Sequence, residues 1–395
     1  MATFLIVAAE ASGDLHGARL MRAIRRARPD ASFVGMGGPA MRAEGLQAIY
    51  RAEDVSVMGI VEVVPKLVGI LRMLRGLATW AEANRPDAAI LIDSADLNLR
   101  LARQLKFLGV PTVAYVAPMA WAWRESRVRA LRDLDRLLCI YPFEEGWFRE
   151  RGVDAVYVGN PLLEQEALRS LPDRDGCRRA LGIAAEGPVL ALLPGSRRAE
   201  ITQLLPTLLD AADRLVAKTP ALRVVLPVAP TLEAGLVESL VAGRRCSPLL
   251  VTGRSLEAMG AADAVALCSG TATLEAALLG RPMVVVYKAH PLSFRLVKLL
   301  VRVRHAAIVN LLSGSAVVPE LLQDDFTPDA VAGALEPLLA DTGERASMLA
   351  RLSALRDLLG ARPASEAAAA EILAVADGGR LAAEAPGDVE RLRAG

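Results

Sequence analysis

Short apolar runs of strand length alternate with longer segments of helical period along nearly the whole of this 395-residue chain, and that alternation is the pattern of parallel sheets covered by helices. In the first half, residues 3–9, 31–35, 88–92, 112–116, 136–140 and 155–158 read as strands, with helices over 17–28, 61–84, 97–108 and 143–151. A second series follows Pro161 and the charged stretch 169–179. Its strands are 189–193, 222–227, 249–252, 264–268 and 283–286, and its helices 199–218, 232–241, 271–279 and 328–339. The fold class is therefore α/β, with two Rossmann-like doubly wound domains. We place the first at residues 1–165 and the second at 166–349, with a helix near 350–380 packing back on the first. Doubly wound sheets bind ligands beyond the carboxyl ends of their strands, so the active site is expected in a central cleft that both domains face.

Composition narrows the function. Hydrophobic residues make up 53% of the chain, enough for large buried cores. Lys and Arg total 46 against 45 Asp and Glu, which gives no global electrostatic reason to expect a nucleic-acid partner. The four cysteines are scattered without a CxxC pair, as in a reducing cytoplasm. Residues 1–11 lack the basic lead of a signal peptide and read as a buried strand. No apolar run reaches the roughly 18 residues that span a bilayer, so membrane contact has to be peripheral.

Five segments carry candidate chemistry. After the first strand comes Glu10-Ala-Ser12-Gly13-Asp14, small residues with two carboxylates and a hydroxyl at a helix start, where glycine allows close approach of a ligand. It is not GxGxxG, and Ser12 or Asp14 could equally cap the helix. The strand ending at Ile92 runs into Asp93-Ser94-Ala95-Asp96-Leu97-Asn98, and an acid there can take a proton from a sugar hydroxyl. Asp96 and Ser94 compete as helix caps; Asp93 does not. Trp121-Ala-Trp123-Arg124 offers indoles for stacking and a guanidinium for phosphate. In the second half, Leu193-Pro-Gly195-Ser196-Arg197 supplies amides, a hydroxyl and a cation for a diphosphate with no metal needed, and Ser269-Gly270-Thr271-Ala-Thr273-Leu-Glu275 puts a carboxylate near a helix start, where it can accept from ribose hydroxyls. The three histidines are not spaced as metal ligands, and GxSxG and Walker motifs do not occur. Two basic amphipathic stretches, 61–75 and 294–304, fit an anionic lipid interface or ordinary core packing.

Taken in order, these segments resemble the lipid-A-disaccharide synthase family over nearly the whole chain. The resemblance rests on the motifs above together with Gly35-Met-Gly-Gly38, Met41 and Gly45, Met58-Gly-Ile-Val-Glu-Val63, Asn310-Leu-Leu312 and Val318-Pro-Glu-Leu-Leu-Gln323. It implies an inverting, metal-independent hexosyltransferase of GT-B architecture that needs no cofactor. The donor would be UDP-2,3-diacylglucosamine and the acceptor 2,3-diacylglucosamine 1-phosphate, joined β-1,6 with release of UDP in lipid A biosynthesis. Work would take place on the cytoplasmic face of a Gram-negative inner membrane, at its anionic surface, and a homodimer stays open. Carried over by motif, Asp93 and Arg197 are catalytic, Glu275 and Asn310 hold the nucleotide, and Glu10 and Ser12 face the cleft. The chain departs from the family pattern at Ala95, Leu97, Ala117, Asn160 and Val309. Two other readings share the scaffold: a UDP-N-acetylglucosamine 2-epimerase, and a lipid or nucleotide carrier without turnover.

Overall fold

The computed structural model describes residues 2–56, 63–230, 232–288 and 305–384. Its first compact unit is Met1–Pro161 with the chain from Ala361 on; the second is Leu162–Gly360.

The first unit holds β1 (Thr3–Ala8), β2 (Ser32–Gly37), β3 (Gln47–Arg51), β4 (Ala88–Ile92), β5 (Thr112–Tyr115), β6 (Arg136–Cys139) and β7 (Ala155–Tyr157). They form one parallel sheet in the order β3-β2-β1-β4-β5-β6-β7. Five of six residues of β1 and all of β4 are buried, as expected of strands covered on both faces. The order reverses between β1 and β4, and the register sets Ala8 beside Ile92. The loops after these strands, which carry Glu10 and Asp93, therefore emerge at one sheet end at the switch point.

The helix after β1 spans Ala11–Ala27 and starts six residues earlier than the apolar period suggests. Gly13 and Gly17 thus lie inside it, and both are buried. A Cβ on Gly17 would sit 2.5 Å from Met41 Sδ, and one on Gly13 would meet Ala8 and Ile92. Gly13 is thus buried in the first turn of the helix, packed beside Ala8 and Ile92. Asp14, 4% exposed, accepts from the N–H groups of Gly38, Ala40 and Met41 at 2.8–3.0 Å. It caps the short helix Pro39–Ala43 instead of its own.

The second unit holds β8 (Val189–Leu193), β9 (Arg223–Val228), β10 (Leu249–Thr252), β11 (Ala264–Cys268), β12 (Met283–Tyr287) and β13 (Glu320–Leu322), in the order β10-β9-β8-β11-β12-β13 with every pair parallel. Its switch point lies between β8 and β11. The expected single helix over 350–380 is two helices. Gly343–Leu359 packs Met348, Leu352 and Leu355 into the second unit, and the left-handed Gly360 (φ 64°) ends it. Ala364–Glu384 then joins the core of the first unit through Ala368, Ile372 and Ala376, with Arg28 paired to Asp377 at 2.8 Å. The unit boundaries fall accordingly at Pro161 and Gly360.

The helix Val63–Asn84 divides its apolar residues between two surroundings. Met73, Leu74, Leu77 and Ala81 are buried, whereas Val68 is 52% exposed and Leu71 38%, beside exposed Arg72 and Arg75. Among the described residues no helix is long and apolar enough to cross a membrane. The stretch 294–304 and most of the Met58-to-Val63 motif lie outside the described residues.

Candidate active site

At the switch point of the first unit the backbone is strained. Asp93 (φ 52°) and Ser94 (φ 42°) are consecutive left-handed residues after β4, and Val116 (φ 70°) is left-handed after the adjacent β5. A β-branched residue in that region is rare, and such outliers persist only where the surroundings enforce them. Here the enforcing groups are visible. Asp93 N–H donates to Tyr115 O at 3.0 Å, and the Asn98 amide donates to Ile92 O and Asp93 O at 3.0 and 2.7 Å. Asn98 is 4% exposed and spends its donors on these carbonyls, so it positions Asp93, while its Oδ1 has no partner among the described residues.

The strained turn leaves the Asp93 carboxylate half-buried with neutral partners. Ser94 N–H donates to Oδ1 at 2.8 Å, and the Ser12 hydroxyl lies at a long 3.5 Å from Oδ2. Ser94 Oγ donates to Glu10 Oε1 at 3.2 Å, which ties the loops after β1 and β4 together. No ion pair to Asp93 or Glu10 occurs among the described residues. The capping roles open to Ser12, Ser94 and Asp96 are not taken, because the helix starts at Glu10 and Ser94 carry no side-chain cap. Asp96 instead pairs with Arg124 at 3.1 Å and Arg127 at 2.6 Å, and both guanidinium groups stand over the Trp123 ring, at 4.5 and 5.0 Å from its centroid. Partial burial works against its charge, but the Arg127 hydrogen bond and the charges of Arg127, Arg124 and Arg100 prevail and hold its carboxyl below the usual range.

Trp121 points the other way, into the core, where its indole donates to Glu144 Oε1 at 3.0 Å. Glu144 is fully buried and also accepts from Ile140 and Tyr141 N–H groups at 3.1 and 3.0 Å. Desolvation pushes its carboxyl up to about 7 despite those donors. It stands at the third position of the helix Pro142–Arg149, the glutamate of a capping box.

In the second unit a cavity of about 510 Å³, the size of a small-molecule site, opens where β8, β9 and β11 end. Gly195, Ser196, Arg197, Ser269, Thr271 and Glu275 are among its lining residues. Gly195 has φ 117°, and any side chain there would collide with the Glu200 carboxylate. Glu200 Oε2 accepts from the N–H groups of Ser196 and Arg197 at 2.9 and 3.2 Å while Oε1 pairs with the Arg197 guanidinium at 3.0 Å. The turn is thereby fixed with the Arg197 side chain 82% exposed. Gly270 also lines the cavity and begins the helix Thr271–Leu278; Ser269 Oγ donates to Ala306 O at 3.0 Å. Burial raises the Glu275 carboxyl above the usual range, and no hydrogen bond or ion pair satisfies it among the described residues.

Two expected nucleotide contacts are spent within the protein. Thr273 is fully buried and donates its hydroxyl to Gly270 O. Asn310, also fully buried, donates to Val318 O and Glu320 Oε1 and accepts from Val317 and Val318 N–H groups, at 2.7–2.9 Å. All four of its hydrogen-bonding capacities are used, so it braces the segment before β13 and does not line the cavity. Sequence reasoning missed Glu200, Glu144, Arg127 and Val116. The two glutamates stand at the third helical position, a spacing that could have found them, whereas Arg127 is one of several arginines in its stretch. Among the described residues no group of three or more His, Cys, Asp or Glu is placed to hold a metal.

Comparison with known proteins bears on the family and the fold. A family model for lipid-A-disaccharide synthetase matches residues 4–372. The lipid-A-disaccharide synthase of Myxococcus xanthus (strain DK1622) is 47% identical over 378 residues, 95% of this chain and 98% of the relative. That of Pseudomonas syringae pv. tomato is 45% identical over 337 residues, 85% of this chain and 88% of the relative. Among solved structures, the calicheamicin glycosyltransferase CalG4 superposes with a TM-score of 0.58 at 16% identity, covering 98% of this chain and all of that one. A UDP-GlcNAc 2-epimerase from Neisseria meningitidis, bound to UDP-GlcNAc, does so with 0.64 at 11% identity, covering 94% and 99%. At such identities these likenesses establish the fold alone, the two-Rossmann GT-B architecture. The sequence relatives establish more: the chain belongs to the lipid-A-disaccharide synthase family of hexosyltransferases.

Proposed function

We propose that the chain transfers 2,3-diacylglucosamine from UDP-2,3-diacylglucosamine to 2,3-diacylglucosamine 1-phosphate, forming the β-1,6 disaccharide 1-phosphate and UDP without a metal ion or cofactor. The observation that carries this reading is the exposed Arg197 guanidinium, braced by Glu200, sharing one cavity with the Glu275 carboxylate, which has no partner among the described residues. A cation suits a departing diphosphate and a carboxylate suits ribose hydroxyls. Asp93 takes the proton from the acceptor's 6-hydroxyl, its oxygen attacks the anomeric carbon, and the bond to UDP breaks with inversion. The negative charge leaving on the diphosphate is met by Arg197, the Ser196 hydroxyl and the start of the helix Thr271–Leu278.

The acylated substrates place the enzyme at a lipid surface, on the cytoplasmic face of the inner membrane. Exposed Val68 and Leu71 with Arg72 and Arg75 suit an anionic interface. Vesicle binding should be lost in a Val68→Glu, Leu71→Glu variant that melts like the parent.

The test is incubation with both acylated substrates in EDTA, followed by mass spectrometry. Equal amounts of UDP and disaccharide 1-phosphate are expected. A donor epimerised at C2, UDP without a disaccharide, or activity that EDTA abolishes and a divalent ion restores would each overturn the part of the reading concerned.

A further inference from the structure

We propose that Arg124 and Arg127, stacked on Trp123, are the receptor for a phosphate monoester, with Asp96 as an exchangeable counterion that holds its place. That the phosphate belongs to the acylated glucosamine acceptor rests on the proposed function. The site itself stands on four observations.

Two guanidinium groups converge on one carboxylate and one indole ring, and Arg100 adds a third positive charge toward the same aspartate. The positive charge exceeds that of Asp96, and a phosphate dianion would balance the excess. Such surface pairs contribute only ~0–1 kcal/mol to stability, so folding does not explain the convergence. Second, both guanidinium groups rest on the Trp123 ring as well as on Asp96, and Arg127 keeps a donor to spare. Arg127 is 13% exposed in its side chain against 68% for Asp96, and its Nε–H has no hydrogen-bond partner among the described residues. Third, Arg124 is a non-glycine residue held left-handed at φ 57°, in a loop anchored by the Trp121–Glu144 bond. Strain of this kind marks places where a side chain is aimed. Fourth, Asp96 lies three residues beyond Asp93, at most ~10 Å of chain, which suits a sugar with its attacking hydroxyl at one end and its anomeric phosphate at the other. Two planar forks match phosphate oxygens bidentately, and a dianion outcompetes a lone carboxylate for them.

The probe is soluble glucosamine 1-phosphate, titrated calorimetrically alongside glucosamine and UDP. The parent should bind the phosphorylated sugar and not glucosamine, with affinity that falls as salt rises. Arg124→Gln with Arg127→Gln should lose at least 10-fold in that affinity and keep that for UDP, whereas Arg127→Lys should recover part of it. Asp96→Asn should bind the probe at least as tightly as the parent, since the competing carboxylate is gone. Unchanged affinity in the double glutamine variant, or binding abolished in Asp96→Asn at parental melting temperature, overturns the proposal. So does a double variant that loses anionic-vesicle binding yet keeps the soluble probe, because the arginines would then meet bulk lipid headgroups. Probe binding in a protein that releases no UDP from the acylated substrates would leave this site standing and remove the proposed function instead.

Discussion

Each unit has its own parallel sheet with a switch point, yet the turns after β1 and β4 in the first and after β8 in the second carry opposite chemistry. After β1 and β4 the first unit presents Glu10 and Asp93, carboxylates whose partners are hydroxyls and an amide, Glu10 on extended backbone and Asp93 on left-handed backbone. After β8 the second unit presents a guanidinium, and the only left-handed residue in its turn is a glycine, which adopts that conformation without strain. Each unit braces its loop with a glutamate at the third helical position. Glu144 is sealed in the core and drawn toward its neutral form, while Glu200 borders the cavity and pairs with Arg197. Under the proposed function, one architecture would serve two tasks, accepting a proton in the first unit and receiving a leaving anion in the second.

The largest effect expected from this division is on turnover. Asp93→Asn keeps the shape of the turn and removes the proton acceptor, so steady-state turnover should fall by ~10²–10⁴ while UDP affinity stays parental. If turnover survives, the first unit does not supply the base. If UDP affinity falls as well, the tasks are not divided as described.

Next in size is the pH effect that Glu144 gives the first unit. Glu144 is raised in the folded protein from 4.5 to about 7, so its contribution to stability is complete below pH 4.5 and is lost as pH rises through 7. At ~1.4 kcal/mol per unit, the stability gap between parent and Glu144→Gln should shift by about 3 kcal/mol between pH 4 and 8, the parent losing ground as pH rises. Measuring the gap cancels His16, which burial and then the charge of Arg19 lower to about 4 and whose contribution runs the other way, being lost as pH falls below 6.5. Urea titrations across this range test it; a gap independent of pH would mean that Glu144 stays ionised in the core.

Smaller again is the effect on the nucleotide. Arg197→Ala and Glu275→Ala should each weaken UDP by about 1.5–3 kcal/mol by calorimetry, the worth of a charge-assisted hydrogen bond. Parental affinity in both variants would remove the nucleotide from this cavity. Ser12→Ala is the mildest, because its bond to Asp93 is long at 3.5 Å. Losing it should cost turnover at most ~10-fold, in line with about 0.5–1.5 kcal/mol for a neutral hydrogen bond. A collapse like that of Asp93→Asn would make Ser12 part of the chemistry.

Much of this was legible before any coordinates, and the exceptions have physical causes. All eleven expected strands match to within two residues at either end because buried parallel strands read as continuous apolar runs. β3 and β13 carry no such signal: they lie at sheet edges, and four of the five residues of β3 are exposed. The site motifs were found, but the motif alone could not separate side chains that face a ligand from those that hold the turn. Asn98, Thr273 and Asn310 stand inside ligand-binding patterns and spend their donors on backbone carbonyls and Glu320. The same limit applied to Asp14, which looked like a cap for its own helix and caps another. Which neighbour a short polar side chain bonds is decided by tertiary contacts, and those leave no local period in the sequence.

The central claim is one displacement, with a proton taken by the first unit and UDP received by the second. The anomeric configuration of the product tests it most directly. The one-bond carbon–proton coupling at the new linkage, measured by NMR on disaccharide made from the α-linked donor, should report a β-linkage, inverted at the transferred carbon. An α-linkage would require a covalent sugar–enzyme intermediate or attack from the side of the leaving group, and would contradict the role given to Asp93.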